Sequence, residues 1–222
     1  MNLLAIETAT DFCSVAALTS EGIQVDFLIA GKGVHSEGVF AGIKEVLTKT
    51  GITASEIDAV LLSGGPGSYT GLRVGYSAVK GFLFGHSARL YIINTLLSVA
   101  AGVTQEITGQ KDIHIVLNAR RQHLIHQAFR YENDLLVKTS ESEIILIEEF
   151  QKKMVPGQIL AGYGIERLDS ASLQGFTVVR NMPLKAEYLF RIWQMQEQNP
   201  GVALIEETDA SIAEPAYLTP GF

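Results

Sequence analysis

The sequence predicts an α/β fold of two similar lobes, each of order βββαβα. Three observations carry this. Apolar alternation broken by tight turns gives a three-stranded meander at the start. Helical and strand periods alternate after it. The same order then recurs in the second half. The expected division is residues 1–100 for the first lobe, 101–204 for the second, and 205–222 for an arm packed across the lobes, with a cleft between them.

In the first lobe, residues 3–6 form a buried apolar run, 13–18 a second strand and 24–30 a third, with turns at Asp11 and at Thr19-Ser20-Glu21-Gly22. A helix follows over about 36–50, where Val39, Ile43, Val46 and Leu47 fall on one face and Gly51 ends it. Residues 59–63 are a buried strand, 72–84 a helix and 90–93 another short strand. In the second lobe, 113–117, 123–129 and 135–138 are strands, 147–154 is helix-like, 159–161 and 176–179 are strands, and 186–198 is a helix. Gly162-Tyr163-Gly164 echoes Gly64-Gly65, and Pro215 and Pro220 mark the irregular arm.

Composition narrows the function. The chain has 222 residues, is 47% hydrophobic and 18% charged, and carries a net charge of −7. An acidic chain repels a phosphate backbone and is a poor nucleic-acid binder by itself. The basic pairs Arg120-Arg121 and Lys152-Lys153 are too short to reverse that. No run approaches the roughly 20 apolar residues of a membrane span, and the opening segment enters a strand without a basic leader, so a cytoplasmic location is expected. Cys13 is the only cysteine and reads as a small buried hydrophobe.

The strongest local motif is Gly64-Gly65-Pro66-Gly67-Ser68-Tyr69-Thr70-Gly71, set between a strand and a helix. Unpaired N–H groups at a helix start suit an anion. Yet the Walker lysine is missing, and Thr70 stands where the dinucleotide fingerprint needs its last glycine. A tight turn with a hydroxyl cap at Ser68 or Thr70 and a phosphate cradle both stay open. The next helix aligns Gly71, Gly75, Ala78, Phe82 and Gly85 on one face, and the preceding helix adds Gly38 and Gly42. Interior glycine costs a helix about 0.8–1 kcal/mol, so another backbone is expected to come close. That backbone belongs either to the chain's own sheet or to a second subunit.

The five histidines form no H-x-x-x-H, and His123 and His126 face opposite sides of one strand, so no metal site is expected. No G-x-S-x-G elbow accompanies a serine nucleophile. Glu7, Thr8, Thr10 and Asp11 surround the first hairpin turn, where a two-lobed kinase sets acid and hydroxyl groups against phosphate and magnesium. Asn118 holds the equivalent place in the second half, and an amide is no general base.

The glycine segment extended through Leu72-Arg73-Val74-Gly75, the opening Leu4-Ala5-Ile6-Glu7-Thr8-Ala9-Thr10, the segment His35-Ser36-Glu37, the turn Asn118-Ala119-Arg120-Arg121 and the tail Pro215-Ala216-Tyr217-Leu218 together closely resemble the TsaB (YeaZ) family. The resemblance spans the chain and is strongest before about residue 100. It implies the actin-like ATPase (ribonuclease H-like) fold shared with sugar kinases and heat-shock chaperones. It implies a non-catalytic subunit that pairs with its paralogue TsaD in making threonylcarbamoyladenosine in tRNA, joined by the ATPase TsaE, with tRNA met only through that complex. Pairing is implied through the helices beginning near Ser36 and Leu72, and self-association through the same helices when TsaD is absent. This turns the small-residue face, Gly38, Gly42, Gly71, Gly75, Ala78 and Phe82, into an expected interface, and Gly75→Leu into a variant that folds but does not pair. ATP or ADP is expected, if anywhere, at the joint with TsaD. The metal-binding H-x-x-x-H pair of TsaD falls about at Thr95 and Val99, which are no ligands for a transition metal. Asn118 departs from the family's Asp at that turn. The competing reading is a phosphotransferase or ATPase that uses the cleft, with Glu7 and Asp11 near phosphate.

Overall fold

The computed structural model describes residues 1–180 and 182–218. The chain divides into two compact units. One comprises Met1–Ser98 with Pro183–Tyr217, and the other is built on Val99–Met182.

In the first unit, β1 (Leu3–Glu7), β2 (Phe12–Leu18) and β3 (Gln24–Ala30) form the antiparallel meander. α1 (His35–Thr50) follows. Gly51 ends it in the left-handed conformation at φ 75°, returning its N–H to the Leu47 carbonyl. Then come β4 (Ala59–Ser63), α2 (Tyr69–Leu83), β5 (Arg89–Ile93) and α3 (Thr95–Val103), which begins in this unit and continues into the second. β4 and β5 extend the sheet in parallel, giving the order β3-β2-β1-β4-β5. β1 and β4 are buried at every position because both of their faces are covered, and all but their last residues, Glu7 and Ser63, are apolar. α1 and α2 cover one face, burying Val39, Ile43, Val46 and Val79 against Leu4, Ile6, Val15 and Leu62.

In the second unit, β6 (Lys111–Asn118), β7 (His123–Glu132) and β8 (Leu135–Lys138) form a second meander. β9 (Glu143–Leu146) pairs with β7, and α4 (Ile147–Lys153) leads to β10 (Ile159–Ala161) and β11 (Thr177–Val179). The sheet order β8-β7-β6-β10-β11 repeats the order of the first unit strand for strand, with the same parallel and antiparallel pairs. The duplication expected from the sequence is therefore present in the sheets. The connection from β10 to β11, however, holds only short turns of 3₁₀ helix at Ile165–Arg167 and Ser170–Leu173 where the first unit has α2.

The boundaries differ from expectation at the C-terminal end. α5 (Glu187–Gln198), expected in the second lobe, packs on β1, β2 and β4 of the first unit. The Ser14 hydroxyl accepts the Ala186 N–H at 3.0 Å, on the sheet face that α1 and α2 leave uncovered. The physical reason is that a sheet buried on both faces needs a second helical layer, and α5 supplies it with Leu189, Ile192 and Trp193. The arm belongs to this unit as far as Tyr217. β12 (Ile205–Thr208) pairs antiparallel with β5, and the Ala216 N–H donates to the Gly64 carbonyl at 2.9 Å. The end of the expected arm, residues 219–222 with Pro220, lies outside the described residues. No helix among the described residues is long and apolar enough to cross a membrane.

Candidate functional site

The glycine-rich loop is engaged by its own unit. The Gly64 N–H donates to Ile93 O and the Gly65 N–H to Thr95 Oγ1, while the Ser68 N–H donates to Ala9 O at 2.7 Å. Ser68 is the hydroxyl cap of α2, its Oγ accepting the Gly71 N–H at 3.2 Å. Gly65 adopts φ 110°, a conformation that favours glycine. A Cβ at Gly67 would strike the Ala9 carbonyl, and one at Gly65 would come within 2.7 Å of the Ala216 carbonyl oxygen. The N–H groups of Gly64, Gly65, Ser68 and Gly71 are thus taken up within the chain, which fits the tight-turn reading of this loop.

The small residues of α1 and α2 face the same way. A Cβ at Gly71 would strike the Thr8 carbonyl, and one at Gly75 the Thr8 hydroxyl, with Leu62 Cδ1 at 3.3 Å. A Cβ at Gly42 would come within 2.6 Å of Phe27, and one at Gly38 within 3.2 Å of Ile29 and 3.3 Å of the Cys13 sulfur. Ala78 is buried and Phe82 is half-buried against the same core. The four glycines Gly38, Gly42, Gly71 and Gly75 thus face the β1–β2 turn and the sheet of their own unit. Gly75→Leu would disturb the fold before it could report on pairing.

The outward face of the same two helices is the accessible one. Ser36 and Phe40 of α1 with Tyr69, Thr70, Arg73, Val74, Ser77 and Ala78 of α2 line an open groove of about 430 Å³. Phe40 is 58% exposed and Tyr69 52% exposed. The Arg73 guanidinium lies 4.0 Å from the centre of the Tyr69 ring, and its Nε donates to the Tyr217 hydroxyl at 3.2 Å. The Tyr69 and Tyr217 rings stand 5.1 Å apart. Stacking and a charge-assisted hydrogen bond hold these exposed groups in one arrangement, which lowers the entropy a partner must remove. The sequence carried a signal for this face that glycine spacing overshadowed: Phe40 lies off the apolar stripe of its helix, and Arg73 and Ser77 follow one another at i and i+4 beside it.

The four residues expected to face phosphate separate. Glu7 and Thr8 are fully buried, Thr10 is half-buried and Asp11 is exposed. Glu7 Oε1 accepts the Ala9 N–H at 2.6 Å, while Oε2 and the Thr8 hydroxyl have no hydrogen-bond partner. Burial pushes the Glu7 carboxyl up to about 7, against the weaker pulls of the Ser63 hydroxyl and the Ala9 N–H. Ser63 itself is engaged with Thr95 at 2.9 Å. Glu7 pairs in register with Ser14 and so shares its sheet face. It braces the turn from within, through its bond to the Ala9 N–H.

Thr95 and Val99, the positions aligned with the metal pair, are both buried, and the Thr95 hydroxyl is spent on Ser63 and on the Gly65 N–H. In the second unit, Asn118 Nδ2 donates to the Tyr163 carbonyl at 2.6 Å, tying the Asn118 turn to the Gly162–Gly164 loop. Arg167 clamps the same turn through Ala119 O and His123 O at 2.8 and 2.7 Å. A Cβ at Gly162 would strike the Val116 carbonyl, so these glycines also serve internal packing. No cluster of three or more His, Cys, Asp or Glu suited to a metal occurs among the described residues. Cys13 is buried, and desolvation holds its thiol up at about 12.

A family model described as TsaD, tRNA N6-adenosine threonylcarbamoyltransferase, matches residues 31–190. The tRNA threonylcarbamoyladenosine biosynthesis protein TsaB of Escherichia coli (strain K12) is 24% identical over 98% of this chain and 94% of its own. TsaB of Haemophilus influenzae is 33% identical over 54% of this chain and 50% of its own. The solved structure of YeaZ from Pseudomonas aeruginosa superposes with a TM-score of 0.80 at 20% identity, covering 98% of this chain and 99% of that one. With the repeated sheet order, this likeness places the fold in the actin-like ATPase class, with two mixed α/β lobes.

Proposed function

Because the chain belongs to the TsaB (YeaZ) branch of the TsaD-like family, we propose that it is the non-catalytic partner of a TsaD-like subunit in the synthesis of threonylcarbamoyladenosine in tRNA. The observation that carries the proposal is the exposed groove across α1 and α2, with Phe40, Tyr69 and Arg73 held ready on its rim. Aromatic and arginine anchors of this kind dominate binding energy at protein interfaces. In isolation the same face pairs two copies of the chain. A TsaE-like ATPase joins the assembly, tRNA is engaged only through it, and any ATP or ADP belongs to the joint with the catalytic subunit. The acidic charge of the chain accords with tRNA being held by its partners.

The test is reconstitution. Gel filtration of this chain with the TsaD-like subunit of its own organism should give a heterocomplex. Mixing the two with the TsaE-like ATPase, ATP and the threonylcarbamoyl donor should restore modification of unmodified tRNA. Full modification with this chain omitted would refute the proposal.

A further inference from the structure

In the second unit, a row of hydrogen bonds runs through one buried and one half-buried ring that the function proposed above does not use. His114 on β6 and His126 on β7 sit diagonally across their ladder, Val116 being the direct partner of His126. The two rings are nearly parallel, 8° apart, and His114 Nδ1 lies 3.0 Å from His126 Nε2. The other nitrogen of His126, Nδ1, lies 3.2 Å from Glu143 Oε1 on β9. Phe150 of α4 covers both rings, its centroid 4.9 Å from His126 and 6.3 Å from His114. Lys153, on the same helix, reaches the same Glu143 oxygen at 3.6 Å. The other polar groups facing the pair are Gln158 beside His114 and Asp112, which Arg130 holds at 2.7 Å.

The proton positions follow from what each group can do. A carboxylate only accepts, so His126 Nδ1 donates to Glu143. In a neutral ring Nε2 is then the acceptor, and His114 Nδ1 must be its donor. Both rings are Nδ1–H tautomers, and one proton lies between them. A further proton has two routes. On His126 it makes both nitrogens donors, so His114 has to surrender its Nδ1 proton. On His114 it leaves the row intact but buries an imidazolium beneath Phe150. In either case a charge enters a desolvated site whose nearest carboxylate is already shared with Lys153.

We propose that this His114–His126–Glu143 row is a proton-sensitive clasp, holding β9 and α4 on the second unit's sheet while both rings are neutral and releasing them on protonation. Burial lowers both imidazoles, His126 to about 4 from 6.5. A base with a depressed folded pKa is protonated first in the opened form. The clasp is therefore at full strength above about 6.5 and is lost as pH falls toward 4.

Hydrogen exchange of the full chain, corrected for intrinsic rates, tests this. Opening of residues 143–153 should rise about 30-fold between pH 8 and pH 5, as a shift from 6.5 to 4 requires, while β6 and β10 change far less. Histidine ¹⁵N shifts at pH 8 should show Nδ1–H tautomers for His114 and His126. His126→Gln keeps hydrogen-bonding capacity without a titrating ring and should flatten the pH dependence of that segment. Equal changes in 143–153 and in β6, or an Nε2–H tautomer at His126, would overturn the proposal. The wild-type measurements decide it even if the variant does not fold.

Discussion

α2 has two faces that differ in side-chain size and in what meets them. The inward face is stripped to Gly71 and Gly75 and is filled by Thr8 and Leu62 of its own unit. The outward face carries Tyr69, Arg73 and Ser77, opens onto the groove shared with α1, and is met by Tyr217. A glycine stripe therefore records that a backbone comes close without saying whose. Large side chains left in the open on a neighbouring stripe mark a docking surface better.

The sharpest way to break this contrast is to add bulk on the inward face. Gly75→Leu has to displace the Thr8 hydroxyl and then Leu62, and Gly71→Val has to displace the rigid Thr8 carbonyl. Overpacking of this kind costs about 1–3 kcal/mol where side chains can yield, and more where backbone must move. Gly75→Leu should lose about 1–3 kcal/mol in urea unfolding and Gly71→Val more than about 3 kcal/mol, or accumulate insoluble. A Gly75→Leu protein of native stability that merely fails to pair would restore the subunit-interface reading of this face.

The second effect comes from Glu7, immediately before Thr8 on the buried side. Its folded pKa is raised from 4.5 to about 7, so the folded state holds the proton more tightly than the unfolded state. The stability from this group is full below about pH 4.5 and is lost as pH rises through 7. The loss is on the order of 3 kcal/mol. Urea midpoints measured between pH 5 and pH 8 should fall accordingly, and Glu7→Gln should flatten that slope. An unchanged slope in Glu7→Gln would mean that the carboxyl is solvated and still available to a ligand.

The third change tests the outward face. Phe40→Asp and Arg73→Glu touch exposed groups, so each should shift stability by no more than about 0.5 kcal/mol. Binding of the TsaD-like subunit, measured calorimetrically, should weaken by about 2 kcal/mol or more, roughly thirtyfold. Normal affinity in both variants would move the interface off this groove while leaving the packing of the inward face untouched.

The sequence made the strands legible because the meander turns and the buried runs at β1 and β4 are strong local signals. It hid α3, whose Leu96, Leu97, Val99, Ala100 and Ala101 are all buried. A helix that is apolar on every side has no period to detect. β9 was lost in the same way, being four residues long and running directly into α4. The assignment of α5 to the second lobe failed because chain order carries no information about which sheet lacks a layer. At the candidate site, Ser68 was legible as a cap from its place before a helix. Glu7 was legible as a special carboxyl, but its burial depends on α5, which arrives almost two hundred residues later in the chain. Phe40 and the Arg73–Tyr217 contact needed the helices to be placed side by side before their exposure meant anything.

The smallest expected effect lies at Ser68, where the two faces of α2 meet. Its N–H donates inward to Ala9 O, and its hydroxyl caps the turn that carries Tyr69 and Arg73 outward. Ser68→Ala keeps the first bond and removes the second, which should cost about 1 kcal/mol of stability. If the outward groups depend on the helix start for their orientation, Ser68→Ala should also weaken partner binding, whereas Ser68→Asp, which restores a capping oxygen, should recover both. A stability loss with unaltered binding would show that the contact of Arg73 with Tyr69 and Tyr217 holds that orientation without the cap.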